Sequence, residues 1–206
     1  MVLGRRVAQD EGVASEAVVL VEGVSDRVAL EVVARRRGIG LGAAGVSVVA
    51  MHGITNVGRF LAYYGATAPG VRVAGLYDEA EGRFVRRGLE QVGLTGMAAD
   101  EARDGLEAHG FYCCSADLED ELIRALGPEA VEDLVAAEGE LRSFRTLQKQ
   151  PALRARSLHD QLRRLMSGRS GGKERYAALM AEAVALEQVP RPLAQVLACA
   201  LGDGRR

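Results

Sequence analysis

Apolar residues first gather in an unbroken run, Val18-Val19-Leu20-Val21, which stops at Glu22-Gly23 and gives way to Ser25-Asp26. A short apolar run closed by a turn signal predicts a strand buried on both faces, as in a parallel sheet. Past it the apolar positions re-space to Val28-Ala29-Leu30 and Val32-Val33, which predicts a helix with Ser25 as its N-cap. Arg35-Arg36-Arg37 put positive charge at the helix's C-terminal end, and Gly38 stops it. The cycle then repeats. Val46 to Ala50 predicts a second strand, closed by Met51-His52-Gly53, and Asn56 to Tyr64 a second helix ending at Gly65. Pro69-Gly70 turns the chain into a third strand, Val71 to Tyr77, closed by Asp78-Glu79-Ala80-Glu81. Helices over Arg83 to Val92 and Ala102 to Ala108, separated by a mobile small-residue loop from Gly93 to Ala99, lead to a fourth strand. That strand, Gly110 to Cys114, runs into Ser115-Ala116-Asp117-Leu118-Glu119-Asp120-Glu121.

Strands that alternate with helices predict an α/β fold, a parallel sheet of about four strands flanked by helices. Beyond Leu122 the strand signal ends. Helices are predicted over Leu122 to Leu126, Pro128 to Ala137, Ser143 to Lys149, Leu158 to Met166, Tyr176 to Leu186 and Pro192 to Leu201, with glycine and proline at the breaks. The expected organisation is a tail over 1–14, an α/β domain over 15–121, an all-helical extension over 122–202 and a tail over 203–206.

Composition changes this picture only locally. A chain of 206 residues, 48% hydrophobic and 26% charged, suits an ordinary globular domain, and a net charge of -2 excludes a protein that coats nucleic acid by bulk charge. Yet residues 100–140 carry 13 acids against 2 bases, and residues 142–175 carry 10 bases against 2 acids. Such a swing implies either an anion-binding surface beside an acidic one or two solvated helical faces that attract one another. Cys113, Cys114 and Cys199 offer no zinc or disulfide spacing, so reduced thiols and a cytoplasmic protein are expected. No apolar run approaches the about 20 residues of a membrane span, and the polar residues after Arg5-Arg6 give no expectation of a signal peptide. With nine aromatics and no Trp, contact with a nucleic-acid backbone is expected over base stacking.

Glu22, Asp26, Asp78, Asp117 and Glu119 follow three different strands, and in a parallel sheet those strand ends converge. Clustered carboxylates repel one another unless cations neutralise them, and hard oxygen ligands suit Mg²⁺, Mn²⁺ or Ca²⁺. One or two such ions bridge phosphate oxygens and activate water in phosphodiester cleavage.

In this ordered set the chain resembles a Toprim domain, in the version found in the OLD (overcoming lysogenization defect) family of nucleases. Glu22-Gly23 with Ser25-Asp26 is similar to that family's first motif, Asp78 to the first acid of the Toprim aspartate pair, and Asp117-Leu118-Glu119 to the acidic motif after the fourth strand. Lys173, in Gly171-Gly172-Lys173, is similar to the lysine these proteins carry in the helical extension. The resemblance covers about Ala17 to Ala178. It implies a Toprim-type Rossmann-like sheet with a helical extension. It also implies Glu22 as metal ligand or general acid/base, Asp26, Asp78, Asp117 and Glu119 as holders of one or two Mg²⁺ or Mn²⁺ ions, and Lys173 as the cation that stabilises the transition state.

Two departures accompany it. The second acid of the Asp-x-Asp pair is Ala80, so Glu79 or Glu81 substitutes or one metal site is weak. OLD proteins also join their Toprim domain to an ATPase, whereas the run from Ser167 to Glu174 lacks the spacing and the serine or threonine of a Walker A loop. The expectation is a stand-alone domain whose ATPase, if one is needed, is a separate partner. Arg154, Arg156, Arg163, Arg164 and Arg169 either track phosphates or pair with the acids of residues 129–140. His52 and His109 are candidate proton shuttles or backbone hydrogen-bonding groups, and His159 is read as surface. The expected function is metal-dependent nicking or cleavage of DNA. The alternatives are RNA processing, primase-like nucleotidyl transfer, or a non-catalytic nucleic-acid or partner-binding module. Helices left over once the sheet is covered suggest a homodimer.

Overall fold

The computed structural model describes residues 16–68, 70–94, 102–168 and 171–203. The expected N-terminal tail, most of the loop over 93–99 and Arg169 lie outside them. Four strands form one parallel sheet: β1 (Ala17–Val21), β2 (Val46–Ala50), β3 (Arg72–Asp78) and β4 (Phe111–Cys114). Their order is β2-β1-β3-β4. The chain therefore builds outward from β1 to β2, then crosses back to add β3 on β1's other side. The sheet switches direction between β1 and β3, and in open α/β sheets the crevice beyond the strand ends at such a point is where ligands sit.

Strand β1 is central and 0–1% exposed along its whole length, which is why its sequence shows a continuous apolar run in place of an alternation. Ala17, Val19 and Val21 pack on one face of the sheet, and Val18 and Leu20 on the other. The second face is covered by α2 (Val57–Thr67), α3 (Gly82–Gln91) and α4 (Ala102–Ala108), through Leu61, Val85, Leu89 and Leu106. The first face is covered by α1 (Val24–Arg36) and, from the second half of the chain, α10 (Arg191–Leu201), and the same core continues outward through α5 (Leu118–Leu126), α6 (Pro128–Ala137), α7 (Leu141–Gln148), α8 (Leu158–Ser167) and α9 (Gly172–Ala183). Strand residues Val19 and Val21 thus share one core with Tyr176, Met180, Leu193 and Val196.

Several boundaries differ from the sequence reading, α2 running through Gly65 to Thr67 among them, and three helix starts differ at the site. The N-cap of α1 is Gly23, not Ser25, because the Asp26 carboxylate three residues on accepts the Gly23 N–H at 2.8 Å. Helix α5 starts at Leu118, not Leu122: Asp117 Oδ1 accepts the Asp120 N–H at 2.9 Å and caps it. Helix α9 starts at Gly172, not Tyr176, with Gly171 at φ +72° turning the chain into its first turn.

Helices α1 and α9 lie side by side and run parallel. At their C-terminal ends Arg36 Nη1 donates to the carbonyls of Ala181 (2.8 Å) and Val184 (2.5 Å), and Arg35 pairs with Glu182 at 2.6 Å. Their N-terminal ends consequently reach the same edge of the sheet. Helix α10 is locked onto that face too, since Arg72 of β3 donates to the Ala200 carbonyl at 2.8 Å.

The tightest approach in the sheet is at Gly75 of β3, where an added Cβ would lie 2.6 Å from a Phe111 ring carbon and 2.8 Å from the Leu20 carbonyl oxygen. Both neighbours are locked in adjacent strands, so Gly75→Ala is expected to destabilise the fold by roughly 1–3 kcal/mol. Urea unfolding of the two proteins measures this, and equal midpoints would contradict the packing.

Candidate metal and active site

Every predicted acid reaches the C-terminal edge of the sheet. Glu22 follows β1 and Asp78 ends β3, so the two flank the switch point. Asp26 enters from the first turn of α1, Asp117 caps α5, and Glu119 lies in α5's first turn, only 4% exposed. The turn after β3 decides between the two substitutes for the missing second aspartate. Glu79 and Ala80 are exposed, whereas Glu81 turns inward. Carboxylate oxygens of Glu22, Asp78 and Glu81 lie within 4.8 Å of one another.

The cluster's second half is balanced by protein cations. Lys173, in the first turn of α9, places Nζ 3.2 Å from Glu119 Oε2, and Arg163 of α8 pairs with Asp117. No cation of the chain pairs with Glu22, Asp78 or Glu81 among the described residues. On Asp78 and Glu81, protons take that role. Burial, then the charges of Asp26, Asp117, Glu22 and Glu81, push Asp78 up to about 8. Burial, then the hydrogen bond and charge of Glu22, push Glu81 up to about 7. Burial pushes Asp26 up to about 6, helped by Glu119 and Glu22 and opposed by the Gly23 N–H and Lys173.

A divalent cation fits these residues. The donor set is all oxygen, and among the described residues two buried carboxylate oxygens, Glu81 Oε2 and Glu119 Oε1, meet no hydrogen-bond donor. Each is an acceptor withdrawn from water with nothing to accept from, an arrangement a metal ion resolves.

The other acids after β4 have structural work. Glu121 accepts the Ser115 N–H at 2.8 Å and pairs with Arg124 at 2.9 Å, which pins the β4–α5 turn. Asp120 pairs with Arg124 and with His159 Nε2, both at 2.7 Å. His159, read from the sequence as surface, thus ties α8 to α5 and helps set Arg163 against Asp117. A 39-residue separation left no sequence signal for that contact. Nor does Arg163 pair with the acids of residues 129–140: Glu132 and Glu140 are taken by Arg145 and Arg175. Arg154, Arg156 and Arg164 are exposed. Of the histidines, His52 follows β2 on the site's edge, whereas His109 precedes β4 and lies at the opposite edge. His52 and Ala116 are the non-glycine residues with positive φ (56° and 64°) among those described, and both sit in turns along this edge.

With the geometry in place, comparison with known proteins defines the class. Residues 15–79 match the family described as overcoming lysogenization defect protein-like, TOPRIM domain. That stretch, from β1 to the end of β3 with Glu22, Asp26 and Asp78, is OLD-like Toprim in sequence. Its fold is shared with the C-terminal region of the OLD protein of Xanthomonas campestris pv. campestris, at 24% identity and a TM-score of 0.71, over 91% of this chain and 95% of that one. The C-terminal region of the Burkholderia pseudomallei OLD protein is similar at 22% identity and a TM-score of 0.71, over 91% of this chain and 98% of that one. No curated protein matches. No helix among the described residues is long and apolar enough to cross a membrane.

The raised proton affinities carry a sign that can be checked. Asp26, Glu81 and Asp78 hold protons in the folded protein up to about 6, about 7 and about 8, whereas unfolded carboxyl groups release theirs near ~4. The folded state binds the extra protons in that window, so metal-free stability falls as pH rises through it. Thermal unfolding in chelator should give a lower Tm at pH 8 than at pH 6, with a smaller difference in Asp78→Asn. Saturating Mg²⁺ or Mn²⁺ should recover the loss at pH 8. A metal-free Tm that climbs between these pH values would contradict the assignment.

Proposed function

We propose that this protein is a nuclease that uses Mg²⁺ or Mn²⁺ to cleave or nick DNA. The observation that carries the reading is the convergence of acids from three strand ends on one crevice, with two buried oxygens lacking a donor and Lys173 alongside them. Glu22, Asp78 and Glu81 would hold one ion, and Asp26, Asp117 and Glu119 are placed to hold or orient a second. Such an ion, when bound, supplies Lewis-acid activation of water and of the phosphate oxygens.

The chain's own residues do the rest. Glu81 lies with its carboxylate within 4.8 Å of those of Glu22 and Asp78, and its raised proton affinity suits it to accept a proton from the attacking water. Lys173 is half exposed and held only by the long contact to Glu119, so its Nζ can turn to the phosphate and offset the charge that develops there. Arg163 stays with Asp117 and fixes that carboxylate's orientation.

Cleavage of supercoiled plasmid, single-stranded DNA and RNA with Mg²⁺, Mn²⁺ or Ca²⁺ tests the proposal. Wild type should cut DNA with Mg²⁺ or Mn²⁺. Glu22→Gln and Lys173→Ala should each lower the rate by about 10²-fold or more while still binding DNA. Cutting of RNA in preference to DNA would reassign the substrate, and binding with no cutting under any metal would overturn the catalytic reading.

A further inference from the structure

One cavity is left unused by the carboxylate centre. A cleft of about 650 Å³ opens between α7 and α8. Arg142 and Thr146 line it from α7, Gln150 from the turn that follows, and Arg164 from α8, with Leu147 and Leu165 as its apolar part. No acid lines it among the described residues.

The charge in this cleft is unbalanced. Elsewhere in this half of the chain Arg124 pairs with Asp120, Arg145 with Glu132, Arg163 with Asp117 and Arg175 with Glu140, while Arg154 and Arg156, outside the cleft, have no carboxylate partner among the described residues. Arg142 and Arg164 have none among the described residues, and both are exposed. Two free guanidinium forks in a concave site, with a hydroxyl and an amide beside them, suit the oxygens of a phosphate group. The cleft also has a defined relation to the centre. Successive side chains on a helix are turned by about 100°, so α8 presents Arg163 to Asp117 and the adjacent Arg164 to the cleft. A ligand that reaches both places must carry phosphate repeatedly along its length, and a nucleic-acid strand does so at about 3.4 Å per residue.

We propose that the α7–α8 cleft is a second phosphate site, which grips the backbone of the same nucleic acid whose scissile bond lies at the carboxylates. This rests on the nuclease reading above. Arg142 and Arg164 contact backbone phosphates without reading sequence, and so hold the strand in register over α8.

The test measures binding of a labelled DNA duplex in Ca²⁺ across a KCl series. Wild type is compared with the double variant Arg142→Ala/Arg164→Ala and with the charge-keeping Arg142→Lys/Arg164→Lys. The alanine pair should bind roughly tenfold or more weakly, with a salt slope lower by about two, one for each phosphate contact. The lysine pair should keep most of the slope. Unchanged affinity and slope in the alanine pair would overturn the proposal, as would an equal loss in the lysine pair, which would report a packing role. Inorganic phosphate titrated in metal-free buffer separates the sources of the anion: an alanine pair that loses phosphate binding yet keeps the wild-type DNA affinity and slope would mark a free-anion site and overturn the backbone assignment. Wild-type hydrolysis of bis(p-nitrophenyl) phosphate with Mn²⁺ reads the centre separately. Failure there and on DNA sinks the nuclease reading and leaves the salt-slope result to decide the cleft.

Discussion

The parallel pairing of α1 with α9 is the constraint on which the site depends. Arg36 satisfies two carbonyls at the C-terminal end of α9, where a helix otherwise leaves acceptors unpaired, and such charge-assisted bonds contribute about 1.5–3 kcal/mol each. Because the two helices are fastened at that end and run in the same direction, their first turns arrive together at the sheet edge, Asp26 on one and Lys173 on the other. A residue 147 positions after Asp26 is thereby brought among the acids of the first motif. Were α9 antiparallel, Lys173 would lie at the far end of the molecule and Glu119 would be a buried charge with no counter-ion.

The second constraint is electrostatic. Glu22, Asp26, Asp78, Glu81, Asp117 and Glu119 share one edge, and two of them are met by protein cations. The chain leaves Asp78 and Glu81 to protons, at a cost in burial and mutual repulsion that a purely structural site would avoid. Strain runs the same way, since His52 and Ala116 hold left-handed backbone conformations in turns along this edge. Stability has been given up locally where strands β1 and β3 part direction, and the apolar mass of the two sheet faces maintains the fold around it.

Much of this was legible from local pattern. The fully buried β1 announces itself as Val18-Val19-Leu20-Val21, and each acid stands just past a strand end, so the sheet and its acidic edge follow from the spacing. The late starts predicted for α5 and α9 share a cause: a polar or glycine-rich run reads as loop where it caps a helix. Asp117 and Gly171 each begin a helix because a single side-chain oxygen, or a single positive φ, suffices to turn the chain. The choice of Glu81 over Glu79 depends on the phase of one short turn, which periodicity does not reach. Pairings such as His159 with Asp120 and Arg163 with Asp117 join residues 39 and 46 positions apart, and a charge swing along the chain cannot say which members meet. The cleft holding Arg142 and Arg164 exists only once α7 and α8 have packed.

Helix α10 bears on how the protein comes into being. Its Leu193, Val196 and Leu197 are 0–1% exposed against the face of the sheet that also carries Val19 and Val21. During synthesis the last strand leaves the ribosome long before this helix, an interval on the order of ten seconds at roughly 5–20 residues per second. Throughout that interval the part of this sheet face that α10 covers, over β3 and β4, lies open, and α9 is not yet seated beside α1. The acids therefore find their cation and their final spacing only after synthesis has passed residue 201. A chain still attached to the ribosome, surrounded by RNA, holds every carboxylate of the centre and none of its geometry.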